Sequence, residues 1–225
     1  MDITDQEKIV RINFDFGWKT GINSIIAEFA LKYNHGDILD VGCGTCSLLK
    51  YLQKKGWKGK YYGIDNKKYQ GYEYPEDINL IIGDALEIDF PKVNTMILYN
   101  VLEHMDERAD IFLISKALTT SENVLINVPK RNEEMWKYGI VEYHQLDKTH
   151  KHCGFTKEEL YKLVHLADGE IINYEEHDKI DATIGINLWK NKFLKKLLFQ
   201  FKKIFKSQVF FYEIWAEVKP KTEKK

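Results

Sequence analysis

Short, continuously apolar runs that alternate with helical patterns from Ile38 onward constrain this chain more than any other feature. The runs are Ile38–Val41, Tyr61–Asp65, 80–84, 96–100 and 124–128. A sheet with one wet face alternates polar and apolar side chains along each strand. Strands covered by helices on both faces do not. The pattern therefore predicts βαβ units and a parallel sheet. Helices are expected over Ser47–Lys54 and 106–118, the second capped by Asp106. Ile22, Ile25, Ile26, Phe29 and Ala30 form a helical stripe ahead of the first strand, within an N-terminal helical extension spanning 1–35. Downstream, Thr156-Lys157-Glu158-Glu159 is a capping box that opens a helix, and Gly169 is expected to stop it. The segments 170–178 and 209–218 read as two further strands. No linker or internal repeat interrupts the series, so 1–225 is expected to be a single domain.

The strand Ile38-Leu39-Asp40-Val41 runs straight into Gly42-Cys43-Gly44-Thr45-Cys46-Ser47, where a helix begins. Glycines in such a turn let the backbone approach a ligand with no Cβ in the way. Dinucleotide-binding folds use G-x-G-x-x-G at the same place, but here Ser47 stands at the third glycine position and Asp40 precedes the first glycine. A carboxylate repels a pyrophosphate and attracts a ligand that carries an ammonium and a sulfonium. This favours S-adenosylmethionine over NAD and disfavours an oxidoreductase. Asp65, with Asn66 after it, ends the second strand where a carboxylate accepts ribose hydroxyls. Asp84 is placed at the end of the third, where it would accept the adenine amino group while the Ala85 N–H meets a ring nitrogen. Capping of helices is the alternative reading for Asp65 and Asp84.

These segments, together with Tyr62-Gly63-Ile64-Asp65, Gly83-Asp84-Ala85 and Asn100-Val101-Leu102-Glu103-His104, resemble the successive motifs of class I S-adenosylmethionine-dependent methyltransferases, in the family's order. The last is similar to the V-L-E-H segment of the methyltransferase type 11 group. The resemblance implies a Rossmann-like three-layer αβα sandwich. Its seven-stranded sheet has the order 3-2-1-4-5-7-6, with strand 7 antiparallel. It also implies S-adenosylmethionine as cofactor and S-adenosylhomocysteine as product, bound by Asp40, Gly42, Cys43, Gly44, Asp65, Asn66, Asp84, Ala85 and Asn100. The chain departs from the family's D-x-G-x-G-x-G at Cys46, which occupies the third glycine, and an altered approach near the methionine moiety is expected.

Methyl transfer is an in-line displacement at a sulfonium, so positioning and exclusion of water do most of the catalysis. A base is needed only where the acceptor must lose a proton. His104, just past the fourth strand, is the first candidate, with His144 and His150 after it. Glu103 either orients a histidine or caps the following helix. His144, His150, His152 and Cys153 are potential metal ligands, but H-x5-H-x-H-C matches no structural zinc pattern, and no metal is expected. Cys43 and Cys46 have C-x-x-C form without a second cysteine pair, which argues against a metal or redox role.

The acceptor is expected to be a small molecule methylated on oxygen or nitrogen, including lipid-linked or glycan compounds. A noncatalytic S-adenosylmethionine-binding module is the alternative. The formal net charge of −1 divides into +8 from Leu188 onward and −9 before it, and an acidic body argues against nucleic acid as substrate. Within 188–206, Trp189, Phe193, Leu194, Leu197, Leu198, Phe201, Ile204 and Phe205 share one side of a helical wheel, with lysines filling most of the other. This amphipathic basic insert between strands 6 and 7 is expected either to contact a membrane surface or to cover the chain's own core or a partner. Three cysteines without framework spacing and a polar, acidic start point to a cytoplasmic setting.

Overall fold

Seven strands make one sheet: β1 (Ile38–Val41), β2 (Tyr61–Asp65), β3 (Ile78–Ile82), β4 (Val93–Tyr99), β5 (Ser121–Pro129), β6 (Gly169–Asp181) and β7 (Val209–Pro220). The computed structural model describes residues 22–33, 36–71, 73–131, 149–181 and 209–222. The strand order is β3-β2-β1-β4-β5-β7-β6. β1 to β5 pair in parallel, and β7 runs antiparallel to both β5 and β6. This is the expected three-layer, Rossmann-like architecture and order. The chain builds outward from β1 through β2 to β3, then crosses back to β4. The order therefore reverses between β1 and β4, and in open α/β sheets ligands bind beyond the strand ends at such a reversal.

Both faces of the sheet are covered, which explains the unbroken apolar runs. On one side Phe29 and Ala30 of α1 (Ile22–Tyr33) and Leu48, Leu49 and Leu52 of α2 (Ser47–Lys54) pack against Ile38, Tyr61, Ile97 and Trp215. On the other, Leu113, Ile114 and Ala117 of α3 (Glu107–Thr120) and Leu160, Leu163 and Val164 of α4 (Lys157–Leu166) pack against Leu39, Val41, Met96, Leu98 and Ile126. Ile38 and Leu39, adjacent in β1, thus bury on opposite faces, each worth about 1.5–3 kcal/mol relative to exposure.

Asp106 caps α3 as expected, its carboxylate accepting the Arg108 and Ala109 N–H groups at 3.1 and 3.0 Å. The capping box of α4 forms between Thr156 and Glu159. Several element ends differ from the sequence reading: β4 stops at Tyr99, leaving Asn100 just past it, and β5 runs longer than expected at its start. β3 ends at Ile82, short of Asp84, because the Asp84 side chain and carbonyl accept N–H groups from Leu86, Glu87 and Ile88 and turn the chain. After α4 it is Asp168 that takes the left-handed turn, at φ 60°. Gly169 is already in β6, where a Cβ would meet Leu118, Val164 and Val218 within 3.0 Å. No helix among the described residues is long and apolar enough to cross a membrane. The basic segment 188–206 and His144 lie outside the described residues.

Candidate functional site

The turn after β1 is held shut by β2. The N–H groups of Gly42 and Cys43 both donate to the Ile64 carbonyl, at 2.8 and 3.0 Å. The Gly44 N–H donates to Asp65 Oδ2 at 2.8 Å, and the Lys67 N–H to Asp65 Oδ1 at 3.2 Å. Gly42 and Gly44 lie in the left-handed region, at φ 72° and 56°. A Cβ on Gly44 would meet nothing within 4 Å, so the outer side of the turn is open. Cys46 shares that backbone region at φ 57°, ψ 32°, which accounts for glycine being usual at this position in the resembled motif. Its side chain turns inward, with no exposed surface, and its Sγ lies 3.4 Å from the Cys43 Sγ.

Asp40 lies beneath this turn rather than on its surface: it is 4% exposed and accepts the Tyr61 hydroxyl. Burial pushes its carboxyl up to about 7; the Tyr61 hydrogen bond opposes this and the charge of Asp65 adds to it. Asn66 is exposed beside Asp65. Asp84 is exposed just past β3, and the following turn is gathered by Lys116 of α3, whose ammonium donates to the carbonyls of Ala85, Leu86 and Ile88 and sits 4.2 Å over the Phe90 ring. Tyr61 and Lys116 were not identified from the sequence, because no local pattern marks a partner in a distant element. Asn100, at the end of β4, has φ 49°, a conformation in which Asn is enriched, and its N–H donates to the Asn127 carbonyl at 3.2 Å.

Past β4 the chain makes a 3-10 turn over Leu102–His104. The Glu103 carbonyl accepts the N–H groups of Lys151 and His152, at 2.7 and 3.1 Å, and so fastens the segment 149–153 to this turn. Two of the expected histidines are thereby brought together: the rings of His104 and His150 meet edge to face with centroids 4.5 Å apart. His104 Nδ1 lies 3.1 Å from Thr149 Oγ1 and 3.4 Å from the Thr149 carbonyl oxygen. The histidines that are neighbours in sequence part company, for His152 Nε2 turns to Asp110 Oδ2 at 3.1 Å. Asp110 is fully buried, and burial, reinforced by Asp106 and Glu107, pushes its carboxyl up to about 7.

The cysteines give a direct check on this site. Cys43 and Cys46 are buried and Cys153 is exposed. Its hydrogen-bonded contact with Cys46 and burial both push the Cys43 thiol up, away from the reactive thiolate. A thiol-specific alkylating reagent followed by peptide mapping is expected to label the native protein at Cys153 alone. Rapid labelling of Cys43 would contradict the closed turn.

Comparison with known proteins agrees with this fold. The family model described as a methyltransferase domain matches residues 19–173. No curated protein matches the chain in sequence. Among solved structures, magnesium protoporphyrin IX methyltransferase from Synechocystis PCC 6803, with bound S-adenosylhomocysteine, superposes with a TM-score of 0.57 at 14% identity, covering 94% of this chain and 87% of that one. A methyltransferase of calicheamicin biosynthesis, also bound to S-adenosylhomocysteine, gives 0.58 at 13% identity over 94% of this chain and 61% of that one. An O-methyltransferase of neocarzinostatin biosynthesis, bound to S-adenosylhomocysteine and 1,4-dihydroxy-2-naphthoic acid, gives 0.55 at 14% identity over 88% of this chain and 57% of that one. At these identities the likeness is one of fold, and the family model supplies the membership. The chain belongs to the class I S-adenosylmethionine-dependent methyltransferases.

Proposed function

We propose that this protein methylates an oxygen or nitrogen of a small-molecule acceptor that enters beside His104 and His150. The observation that carries the reading is the adjacency of two strand ends. β1 leads into the glycine turn, which is tied to Asp65 at the end of β2, and its other sheet neighbour β4 leads into the turn that bears His104. A cofactor held along the first edge would lie beside the second, where the acceptor would enter. The bound dihydroxy-naphthoic acid of the neocarzinostatin enzyme supports a hydroxylated acceptor as the first class to try. In the step itself the acceptor lone pair forms the new bond to methyl, the S–CH3 bond breaks, and its electron pair stays on sulfur as a neutral thioether. His104 and His150 border the acceptor, and the proton it loses passes to solvent beside them.

The test is release of S-adenosylhomocysteine in the presence of a panel of hydroxylated and amine-bearing small molecules. With an accepted substrate, His104→Ala is expected to bind cofactor as wild type does and to lose at least about tenfold in turnover. Turnover equal to wild type in that variant would remove His104 from the acceptor site.

A second expectation follows from Asp40, whose carboxyl is raised to about 7 by burial. A cationic ligand favours the ionised carboxylate. Above pH 7 that form is already present, whereas below pH 7 binding must first displace a proton. Affinity for S-adenosylmethionine is therefore expected to fall about tenfold between pH 8 and pH 6. In Asp40→Asn the dependence is expected to be flat across that range. An identical slope in both proteins would show that Asp40 does not sense the ligand.

A further inference from the structure

We propose that Glu103, His104 and His150 bind a divalent transition-metal cation, and that the acceptor's hydroxyl oxygen coordinates this ion during methyl transfer. The second half of the proposal rests on the acceptor-side reading above; the metal site itself does not.

One potential ligand atom from each of the three residues lies within 4.8 Å of the other two. Bonds of about 2.0–2.2 Å to an ion place neighbouring ligands about 3 Å apart and opposite ones about 4 Å apart. At up to 4.8 Å the set is wider than this, so an ion would draw the three side chains together. Two imidazoles and one carboxylate are donors for zinc, manganese or iron(II), whereas magnesium and calcium favour oxygen alone. Three protein ligands also leave positions open, as catalytic rather than structural metal sites do.

The arrangement is built, not a chance meeting of exposed side chains. His150 comes from a segment far along the chain, and the backbone bonds from Lys151 and His152 to the Glu103 carbonyl pin that segment against the 3-10 turn. His104 is oriented from behind. The Thr149 hydroxyl and carbonyl both lie against its Nδ1, at 3.1 and 3.4 Å, so Nε2 is the nitrogen left to meet an ion. A ligating histidine is commonly fixed in this way through its other nitrogen. Glu103 is 1% exposed, and a buried carboxylate is favoured by a cation beside it. The contact of His152 with Asp110 removes the neighbouring histidine from the set. The liganding residues are split between two segments, and one of them is an acid from the V-L-E-H stretch.

A coordinated hydroxyl loses its proton more readily because the ion stabilises the alkoxide or phenoxide. The proton passes to solvent, the oxygen attacks the methyl carbon, and the S–CH3 bond breaks with its electrons remaining on sulfur. No oxidant or further reactant is required.

The test uses the full chain, freed of metal by a chelator and then dialysed. ZnCl2, MnCl2 and MgCl2 are titrated separately by calorimetry, with melting temperature followed in parallel. One ion per chain is expected for zinc or manganese, with magnesium at least about tenfold weaker. His150→Ala and His104→Ala are each expected to lower the preferred metal's affinity at least about tenfold. Cys153→Ser and His165→Ala, which alter exposed groups outside the set, are expected to retain it. Glu103→Gln changes a buried residue, so its melting curve without metal is recorded first and the two histidine variants carry the decision. Absence of saturable binding by all three ions, or undiminished binding in both histidine variants, would overturn the proposal. S-adenosylhomocysteine is titrated into the same samples. Its binding without metal binding defeats this inference alone, and metal binding without it defeats the methyltransferase reading while leaving the metal site standing.

Discussion

Asp65→Ala is expected to weaken binding of S-adenosylmethionine and S-adenosylhomocysteine by about 1.5–3 kcal/mol, roughly ten- to a hundredfold, the usual worth of hydrogen bonds to a charged acceptor. Two losses combine in this variant. The carboxylate that would receive the ribose hydroxyls is removed, and so is the acceptor that holds the Gly44 N–H at 2.8 Å and keeps the glycine turn against β2. Asp65→Asn separates them, since its amide oxygen still accepts from Gly44 while the charge is gone. It is expected to fall between wild type and Asp65→Ala in affinity. Calorimetric titration of the three proteins decides the matter, provided each melts as a folded chain. Equal affinities would remove Asp65 from the cofactor site.

Gly42→Ala is expected to damage the fold itself. At φ 72° an L-residue is strained by about 1–2 kcal/mol. The added Cβ would also sit 2.8 Å from Val101 Cγ2, and overpacking of this kind costs about 1–3 kcal/mol more. The sum, about 2–5 kcal/mol, would appear in denaturant unfolding, with the melting temperature falling by about 2–4 °C per kcal/mol. Val101→Ala in the same chain relieves the contact but not the backbone strain, so partial recovery is expected. Gly44→Ala makes a useful contrast. Its Cβ meets no protein atom within 4 Å, so only the strain reaches stability, while the open side of the turn is narrowed for the ligand. The two glycines, two residues apart, are thus expected to fail in different assays. Identical stability of Gly42→Ala and wild type would mean the turn is not built as described.

What was legible in the sequence is what local interactions decide. β1 and α2 were placed to the residue because a strand, a turn with two glycines and a helix follow one another directly. Asp106 and the Thr156–Glu159 box were equally visible, since a cap and its N–H partners lie within three residues. Continuous apolar runs revealed that helices cover both faces, but the sheet order came from family resemblance, because periodicity says nothing about which strands are neighbours. The site was read unevenly for the same reason. Asp65 was found at its strand end, yet its bond to Gly44, 21 residues away, has no sequence signature. Tyr61 beneath Asp40 and Lys116 beneath the Ala85 turn were missed because only the folded sheet and α3 bring them there. Grouping His150 with His152 followed proximity in sequence; the structure sends one to His104 and the other to Asp110.

The central claim, that the turn after β1 and the acids beside it bind S-adenosylmethionine, is tested most directly by titrating the purified chain with S-adenosylhomocysteine, S-adenosylmethionine and NAD in a calorimeter at pH 8. Saturable one-to-one binding of the first two at micromolar concentrations is expected, with no heat from NAD. Binding of NAD, or no heat from either adenosyl compound by a folded chain, would contradict it.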